Sequence, residues 1–316
     1  MVQTILIAVA AGLAAALLFL APASGSMLAF PLFILSGLPL AIATFGWGVR
    51  AGAIAAVSGA VVTYLVYPAS PVSPAMFLCL FGLPVVWLAR LAGRPYPLGS
   101  GSAGLEWYPL SRLLLQLVGT VVVALLAAGI VAGYDPDTLV HDAAAALVDV
   151  IGSVETNPAP TAASIEPAVR IYVSFMPFVV GAIVTAIFTF DLWLGALVAR
   201  GSGRATRRPD PLWSVELPGA LLPAFVIAAV FAFFPGLIGE LGKLVAGAIF
   251  GSFVLVGLAV AHALTRGSPS RIPLLVLAYI LLVFSGVPAL LFALVGAADN
   301  FLRLRSRRPT PQPPSH

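Results

Sequence analysis

The chain has 316 residues, of which 60% are hydrophobic and 9% are charged, and its mean hydropathy is +1.07. Soluble globular domains carry about 25% charged residues, so this composition excludes a water-soluble particle and indicates an integral membrane protein. The formal net charge of +4 does not indicate nucleic-acid binding, because the basic residues are scattered over predicted helix ends and form no single stripe.

Long apolar segments account for most of the chain. A helix needs about 20 apolar residues to cross the hydrocarbon core of a bilayer. The candidate segments are 4–21, 27–47, 51–67, 74–91, 113–132, 171–198, 219–234, 241–264 and 272–301. They predict an all-α, polytopic transmembrane helical bundle of eight to ten membrane segments over 1–302, followed by a basic, Pro-rich tail at 303–316.

The first segment lacks the positively charged start of a signal peptide, so it is predicted to be retained as a helix. Small residues recur on it at helical spacing, and such faces let helix backbones approach closely. Two interpretations stand: packing within the chain, or docking to a partner membrane subunit. The residues concerned are Ala8, Ala11, Gly12, Ala15 and Ala16.

The second segment is interrupted by Pro31, Gly37 and Pro39. Broken helices often mark binding sites in transporters, so these three residues are candidate substrate-binding positions. The alternative is an ordinary kinked span, since Gly and Pro are common in membrane helices.

The loop 133–170 is the largest predicted extramembrane piece. Asp135 followed by Pro136 is typical of a helix start, and an apolar stripe follows it. This pattern predicts a short amphipathic helix that lies on the membrane or over the mouth of the bundle. The stripe consists of Leu139, Val140, Ala143, Ala144, Leu147, Val148 and Ile151. Residues 157–164 are predicted to form a flexible return.

No metal, cofactor or catalytic site is predicted. Asp137 and His141 share a helical face, but zinc sites use three or four protein ligands and the chain has 3 histidines. Cys79 is the only cysteine, so it cannot form an intramolecular disulfide. No ATPase, protease or hydrolase motif occurs, and Glu240 with Lys243 is interpreted as a surface ion pair.

Asp191 is the sharpest single candidate, because it lies within the apolar segment that ends before Arg200. An ionisable side chain inside a membrane is costly and is by default a functional hypothesis. It is a candidate substrate or ion ligand. The alternative is a structural pairing with a loop arginine or a neighbouring helix.

The last segment, 272–301, contains the breaker Ser285-Gly286-Val287-Pro288 at its middle. This breaker predicts two short helices, 273–284 and 289–302, that form a tight or re-entrant hairpin. The rival interpretation is one kinked span with an external tail.

The basic residues predict the orientation. Of the 16 Lys and Arg residues, all except Arg170 and Lys243 fall in one set of inter-helix segments. Loops rich in Lys and Arg stay in the cytoplasm. The prediction is therefore a bacterial inner-membrane protein with both termini cytoplasmic and the acidic loop 133–170 outside.

The ending Gly296-Ala-Ala-Asp299-Asn-Phe301-Leu-Arg303-Leu-Arg305 resembles the Gly-x-x-Asp-x-x-x-x-x-Arg close of the YybS-like family of predicted membrane proteins. With the first helix and the broken second segment, the resemblance covers most of the chain. The family's N-terminal part is similar in helix order to substrate-binding subunits of energy-coupling-factor transporters. The resemblance implies that Ala11 and Ala15 match their Ala-x-x-x-Ala docking face, although those subunits lack the extra C-terminal helices and long acidic loop.

The leading functional hypothesis is a small-molecule substrate-binding or permease-type transport component. Its partners would be the lipid bilayer and a membrane coupling subunit or another membrane protein. The alternative is a non-transport scaffold for envelope or membrane-complex assembly. An enzyme acting on lipid ranks third, because no paired polar constellation is found near one interface.

Overall fold

The computed structural model describes residues 1–68, 70–97, 105–152, 161–204 and 217–302, and helices make up most of these ranges. The helices are α1 Val2–Leu20, α2 Ala29–Ile34, α3 Leu38–Trp47, α4 Val49–Val66, α5 Val72–Phe77, α6 Leu83–Ala92, α7 Leu110–Ala132, α8 Pro136–Gly152, α9 Ala162–Gly201, α10 Leu221–Phe231, α11 Gly236–Leu264, α12 Arg271–Ser285 and α13 Val287–Leu302. A short antiparallel ribbon of β1 Pro95–Pro97 and β2 Leu105–Trp107 links α6 to α7.

Within these ranges, 7 helical segments are long and apolar enough to cross a membrane, or up to 8 if a bent C-terminal pair is one span. The predicted all-α, multipass membrane bundle is therefore confirmed. The predicted span 219–234 is shorter than expected, since α10 has 11 residues and extends only about 16 Å. Turn residues follow it, and Pro235 then immediately precedes α11.

Two predicted spans contain local breaks. The second passes from α2 through a 3-10 turn at Leu35–Gly37 into α3. The fourth passes from α5 through a π-helical turn at Leu78–Gly82 into α6. Pro39 and Pro84 lie in the first turns of the helices that follow, where the missing N–H of proline costs least.

Glycines bring the central helices into backbone contact. Gly247 of α11 lies against the backbone of Phe178 on α9, and Gly257 of α11 lies against the backbone of Phe292 on α13. Close approach through small residues is how membrane helices gain packing energy without a hydrophobic driving force. The buried helix α11 consequently joins α9 and α13 in one bundle.

The C-terminal break occurs where the sequence predicts it. Helices α12 and α13 are bent by 119° relative to each other, and Gly286 between them has a left-handed φ of +65°. Helix α13 packs on α11, whereas α12 has no buried residue. The two-helix prediction is confirmed, and its arms are slightly longer than the predicted 273–284 and 289–302.

Helix α9 has 40 residues, which is about 60 Å against a hydrocarbon core of about 30 Å. It begins at Ala162, nine residues before the predicted start at 171. The flexible return predicted for 157–164 is therefore wrong from Ala162 onward, where Ser164 Oγ accepts a hydrogen bond from the Thr161 N–H at 3.1 Å. The stretch 153–160 lies outside the described residues.

The predicted amphipathic helix exists as α8, and its apolar stripe packs on the first part of α9. Val140 and Ala144 are buried against Val169 and Val173. At the same junction, Arg170 Nη1 binds Asp137 Oδ1 at 2.6 Å, and His141 Nδ1 lies 3.8 Å from Glu166. Asp137 and His141 thus both face α9.

We expect Val140→Ala to loosen α8 from α9, because Val140 is 1% exposed and its truncation leaves a cavity. The free energy of opening of α8 should fall by about 1–3 kcal/mol, as measured by hydrogen exchange of α8 amides in detergent. The matched control is Val150→Ala, since Val150 on the same helix is 64% exposed. Equal effects of the two substitutions would contradict this packing.

Candidate functional site

A cavity of about 880 Å³ lies between the fourth span, α7, α9 and α11. Its wall on α9 is formed by Met176, Val180, Val184, Ile187 and Phe188. Met176, Val180, Val184 and Phe188 are four residues apart and Ile187 adjoins the last of them, so these positions form one stripe along the helix. The cavity volume falls within the range of about 300–1,000 Å³ that holds small organic ligands.

Polar side chains gather at one end of this cavity, where α7 ends and α8 and α11 begin. They are Tyr134, Asp135, Asp137 and Glu240. Tyr134 follows Gly133, which ends α7 in the left-handed conformation with φ +65°. The N–H of Tyr134 bonds to the carbonyl of Gly129 at 2.8 Å, and this closing turn positions the tyrosine at the cavity. We call this end of the cavity the acidic mouth.

Glu240 is the most unusual residue of the acidic mouth. Lys243 Nζ donates to Glu240 Oε1 at 2.8 Å, and the two side chains are 21% and 22% exposed. The predicted ion pair is therefore confirmed, but it is half-buried and not at the surface. Glu240 Oε2 is buried with no hydrogen-bond partner among the described residues. A buried carboxylate oxygen without a donor is costly, so it invites a donor from a ligand.

Two groups of the acidic mouth, Tyr134 and Asp135, have shifted pKa values. Burial, followed by the negative charge of Glu240, raises the pKa of the Tyr134 phenol above its ordinary value. Hydrogen bonds from the side chain and backbone of Thr138 lower the pKa of Asp135, and they also confirm the predicted helix start. At neutral pH the Tyr134 phenol is therefore neutral and the Asp135 carboxylate is ionised.

Phenylalanine rings close the other end of the cavity. The rings of Phe33 and Phe81 are edge to face with centroids 5.3 Å apart, and those of Phe81 and Phe188 are 6.2 Å apart. Phe19 of α1 contacts both Phe33 and Phe81. We call Phe33, Phe81 and Phe188 the aromatic floor. The aromatic floor lies between the cavity and Phe19 of α1.

Asp191 lies one helical turn beyond Phe188 on the same stripe of α9. It is 0% exposed. The backbone N–H of Gly37 faces its carboxylate, but neither oxygen makes a hydrogen bond of normal geometry among the described residues. Asp191 Oδ2 packs against Gly37, where a side chain would collide with it and with Val85. The structure thus places the two strongest candidates from the sequence in contact: Asp191, an acid within an apolar span, and Gly37, at the break in the second span.

The other predicted substrate-binding positions are less central. Pro31 is exposed on α2, and Pro39 is half-buried in the first turn of α3. None of Pro31, Gly37, Pro39 and Asp191 lines the cavity itself. Pro31 lies on α2, Gly37 at the break between α2 and α3, and Pro39 in the first turn of α3. Asp191 lies beyond the aromatic floor.

The small face of α1 packs inside the chain. Ala8, Ala15 and Ala16 are 0% exposed, and Gly12 is pressed against Ala55, Ser58 and Gly59 of α4. Ala11 is partly buried against the core. This is the intramolecular alternative, and a partner could reach the face only by displacing α4.

Sequence reasoning missed the acidic mouth and the aromatic floor. Glu240 and Tyr134 each stand near the end of an apolar segment, where polar residues are ordinary, so neither carried a signal by itself. Tyr134 and Glu240 are far apart along the chain, and only the packing of α7 against α11 brings them together.

Comparison with protein-family models, curated proteins and solved structures finds no match to this chain.

Proposed function

We propose that this protein is a substrate-binding or permease-type component of a transport system for a small molecule. The observation that carries the proposal is the cavity of about 880 Å³ inside a membrane bundle. Pockets of this size with an apolar lining and a few convergent polar groups are the usual form of small-molecule sites. The cavity opens at the surface of the bundle, where the lining residues Ile130 and Leu237 are 82% and 73% exposed, so a ligand has a way in.

Asp191 supports the same proposal. The stripe of α9 that lines the cavity continues through the aromatic floor to Asp191, which meets the break in the second span at Gly37. An unpartnered acid inside a membrane is expensive, and helix breaks at mid-membrane are typical of transporter binding sites. We assign the cavity to substrate binding and Asp191 to a later point on the substrate or coupling-ion path.

The proposal includes the family and the energy source. The ending that resembles the YybS-like family has Asp299, 5% exposed, on α13, while Arg303 and Arg305 lie outside the described residues. The chain has no ATPase motif, so energy would come from a membrane coupling subunit or an ion gradient. Because the small face of α1 is covered by α4, such a subunit would contact other surfaces.

Orientation is part of the proposal: a bacterial inner-membrane location with both termini cytoplasmic. Arg204 lies over the ring of Trp47 at 4.9 Å, which places the ends of α3 and α9 on one side of the bundle. The two helix ends are expected on one side if the basic segments there, Arg50 after α3 and 200–208 at the end of α9, are both cytoplasmic.

A reporter that is active only in the cytoplasm tests the orientation. Fused after residue 316, it should be active, because the bend between α12 and α13 returns the chain to the side of Arg271. The same reporter fused after residue 133, at the predicted external end of α7, should be inactive. An inactive tail fusion would favour the single span with an external tail.

The alternative is a non-transport scaffold for envelope or membrane-complex assembly. One observation favours it: α12 has no fully buried residue along its 15 residues, so most of its surface remains available to lipid or protein beyond the contact of Tyr279 with His262 of α11. The cavity has no role in that alternative.

Native mass spectrometry of the protein extracted gently from its own membrane distinguishes the two functions. The transport proposal predicts a bound small molecule in the wild type that is absent from Val184→Trp, in which the indole fills the cavity. Val61→Trp is the matched control, because Val61 on α4 is 51% exposed and lies outside the cavity. A wild-type protein that carries no small molecule but retains assembly partners would replace transport with the scaffold.

A further inference from the structure

The charge distribution around the cavity points to the class of its occupant. Every ionisable residue in the lining other than Tyr134 is acidic: Asp135, Asp137 and Glu240. Arg170 and Lys243, the basic partners of Asp137 and Glu240, lie outside the lining. A ligand in this cavity therefore meets carboxylates and no ammonium or guanidinium group.

Glu240 provides a specific point of attachment. Lys243 donates to Oε1 of its carboxylate, and the Tyr134 phenol lies close enough to Glu240 for a hydrogen bond to contribute to its raised pKa. Oε2 itself is buried and makes no hydrogen bond of normal geometry among the described residues. A cation beside this carboxylate is attracted by its charge, and the protein interior screens that attraction less than water does. The Tyr134 ring, which also lines this end, offers a face on which a cation can rest.

The rest of the lining is hydrophobic, glycine or proline, and it ends on the aromatic floor. An ion with a full hydration shell would gain nothing from this surface, because desolvation without compensating polar contacts is costly. An apolar body attached to the cation would fill it and remove hydrocarbon from water.

We infer that the cavity binds an amphipathic organic cation, an inference that rests on the proposed function and specifies its substrate class. The cationic group lies at the acidic mouth beside Glu240 Oε2. The apolar body extends along the α9 stripe toward the aromatic floor. An organic anion of the same size binds more weakly, because the cations paired with Asp137 and Glu240 lie outside the lining and the anion's charge would lie nearest to carboxylates.

Two probes of matched shape and opposite charge test this inference: tetraphenylphosphonium and tetraphenylborate. Each is titrated into the full-length protein in lipid nanodiscs. Binding is scored as the difference between wild type and Val184→Trp in identical discs, which removes partition into lipid. We expect the phosphonium to bind at least about tenfold more tightly than the borate, a difference of about 1.4 kcal/mol.

Variants then locate the charge that selects the cation. Glu240→Gln should weaken phosphonium binding about tenfold through the loss of charge attraction, whereas Asp142→Asn, which removes an exposed acid of α8 outside the cavity, should leave it unchanged. If Glu240→Gln alone fails to fold because Lys243 loses its partner, the double variant Glu240→Gln with Lys243→Gln carries the same expectation. Phosphonium binding that is insensitive to Glu240 would overturn the assignment.

The outcomes separate the inference from the proposed function. If both probes bind equally and Val184→Trp blocks both, the cavity holds small molecules without charge selection, and only the inference fails. If neither probe binds, the inference fails, and a co-purified molecule that depends on Val184 would still support transport.

Discussion

Gly247→Val should destabilise the bundle by about 3 kcal/mol, one of the largest effects expected of a single substitution in this chain. A side chain at Gly247 would overlap the backbone of Phe178 on α9. Backbone atoms cannot rotate away as a side chain can, so the two helices must separate. Because α9 and α11 both line the cavity, their separation should also release any bound ligand.

The matched control for this prediction is Gly119→Val in the middle of α7. A side chain at Gly119 would meet nothing within 4 Å, so the same substitution in a membrane helix should change stability by no more than about 0.5 kcal/mol. The measurement is the unfolding midpoint of both variants in one detergent. Similar midpoints for the two would refute the close contact between α9 and α11.

Asp191→Leu should change stability in the opposite direction to Gly247→Val. We expect it to raise the free energy of unfolding by about 1–3 kcal/mol. The substitution removes a fully buried carboxyl group that has no hydrogen-bond partner among the described residues, and leucine is the apolar residue closest to it in shape. Under the proposed transport function, the same variant should also lose uptake. Higher stability with lost activity is the usual signature of a residue retained for function.

Asp191→Asn completes this experiment, because it keeps the shape and polarity of the side chain and removes only its ability to ionise. We expect it to abolish transport while leaving membrane insertion and the unfolding midpoint near those of the wild type. Asp142→Asn on the exposed face of α8 controls for a general loss of acidic charge. A lower midpoint for both Asp191 variants would show that Asp191 is structural, which is the rival interpretation.

Prediction from sequence succeeded where the cause is local. The bend at Gly286 is confirmed because a glycine followed by Pro288 disrupts a helix regardless of its neighbours. The helix start at Asp135 is confirmed because its side chain bonds to the next turn of the same helix. The start of α9 was placed too late because apolar run length detects the membrane-embedded part of a helix and misses a polar, capped extension beyond it.

The candidate site was found only in part. Asp191 and Gly37 were recognised because a charge or a break inside an apolar segment stands out by itself. Glu240 was interpreted as a surface residue, since its place at a span end is ordinary. The small face of α1 was correctly seen as a contact surface, but whether α4 or another subunit covers it depends on how the helices assemble.

The sequence by itself determined the membrane class, most of the spans and their breaks, because hydropathy, turn residues and caps act within a few residues of one another. The tertiary structure alone decided that Asp191 meets Gly37, that Glu240 and Tyr134 share an acidic mouth, and that an aromatic floor closes the cavity. These contacts join residues on separate helices. They depend on the rotation and approach of each helix, which are set by backbone contacts at residues such as Gly247 and Gly257.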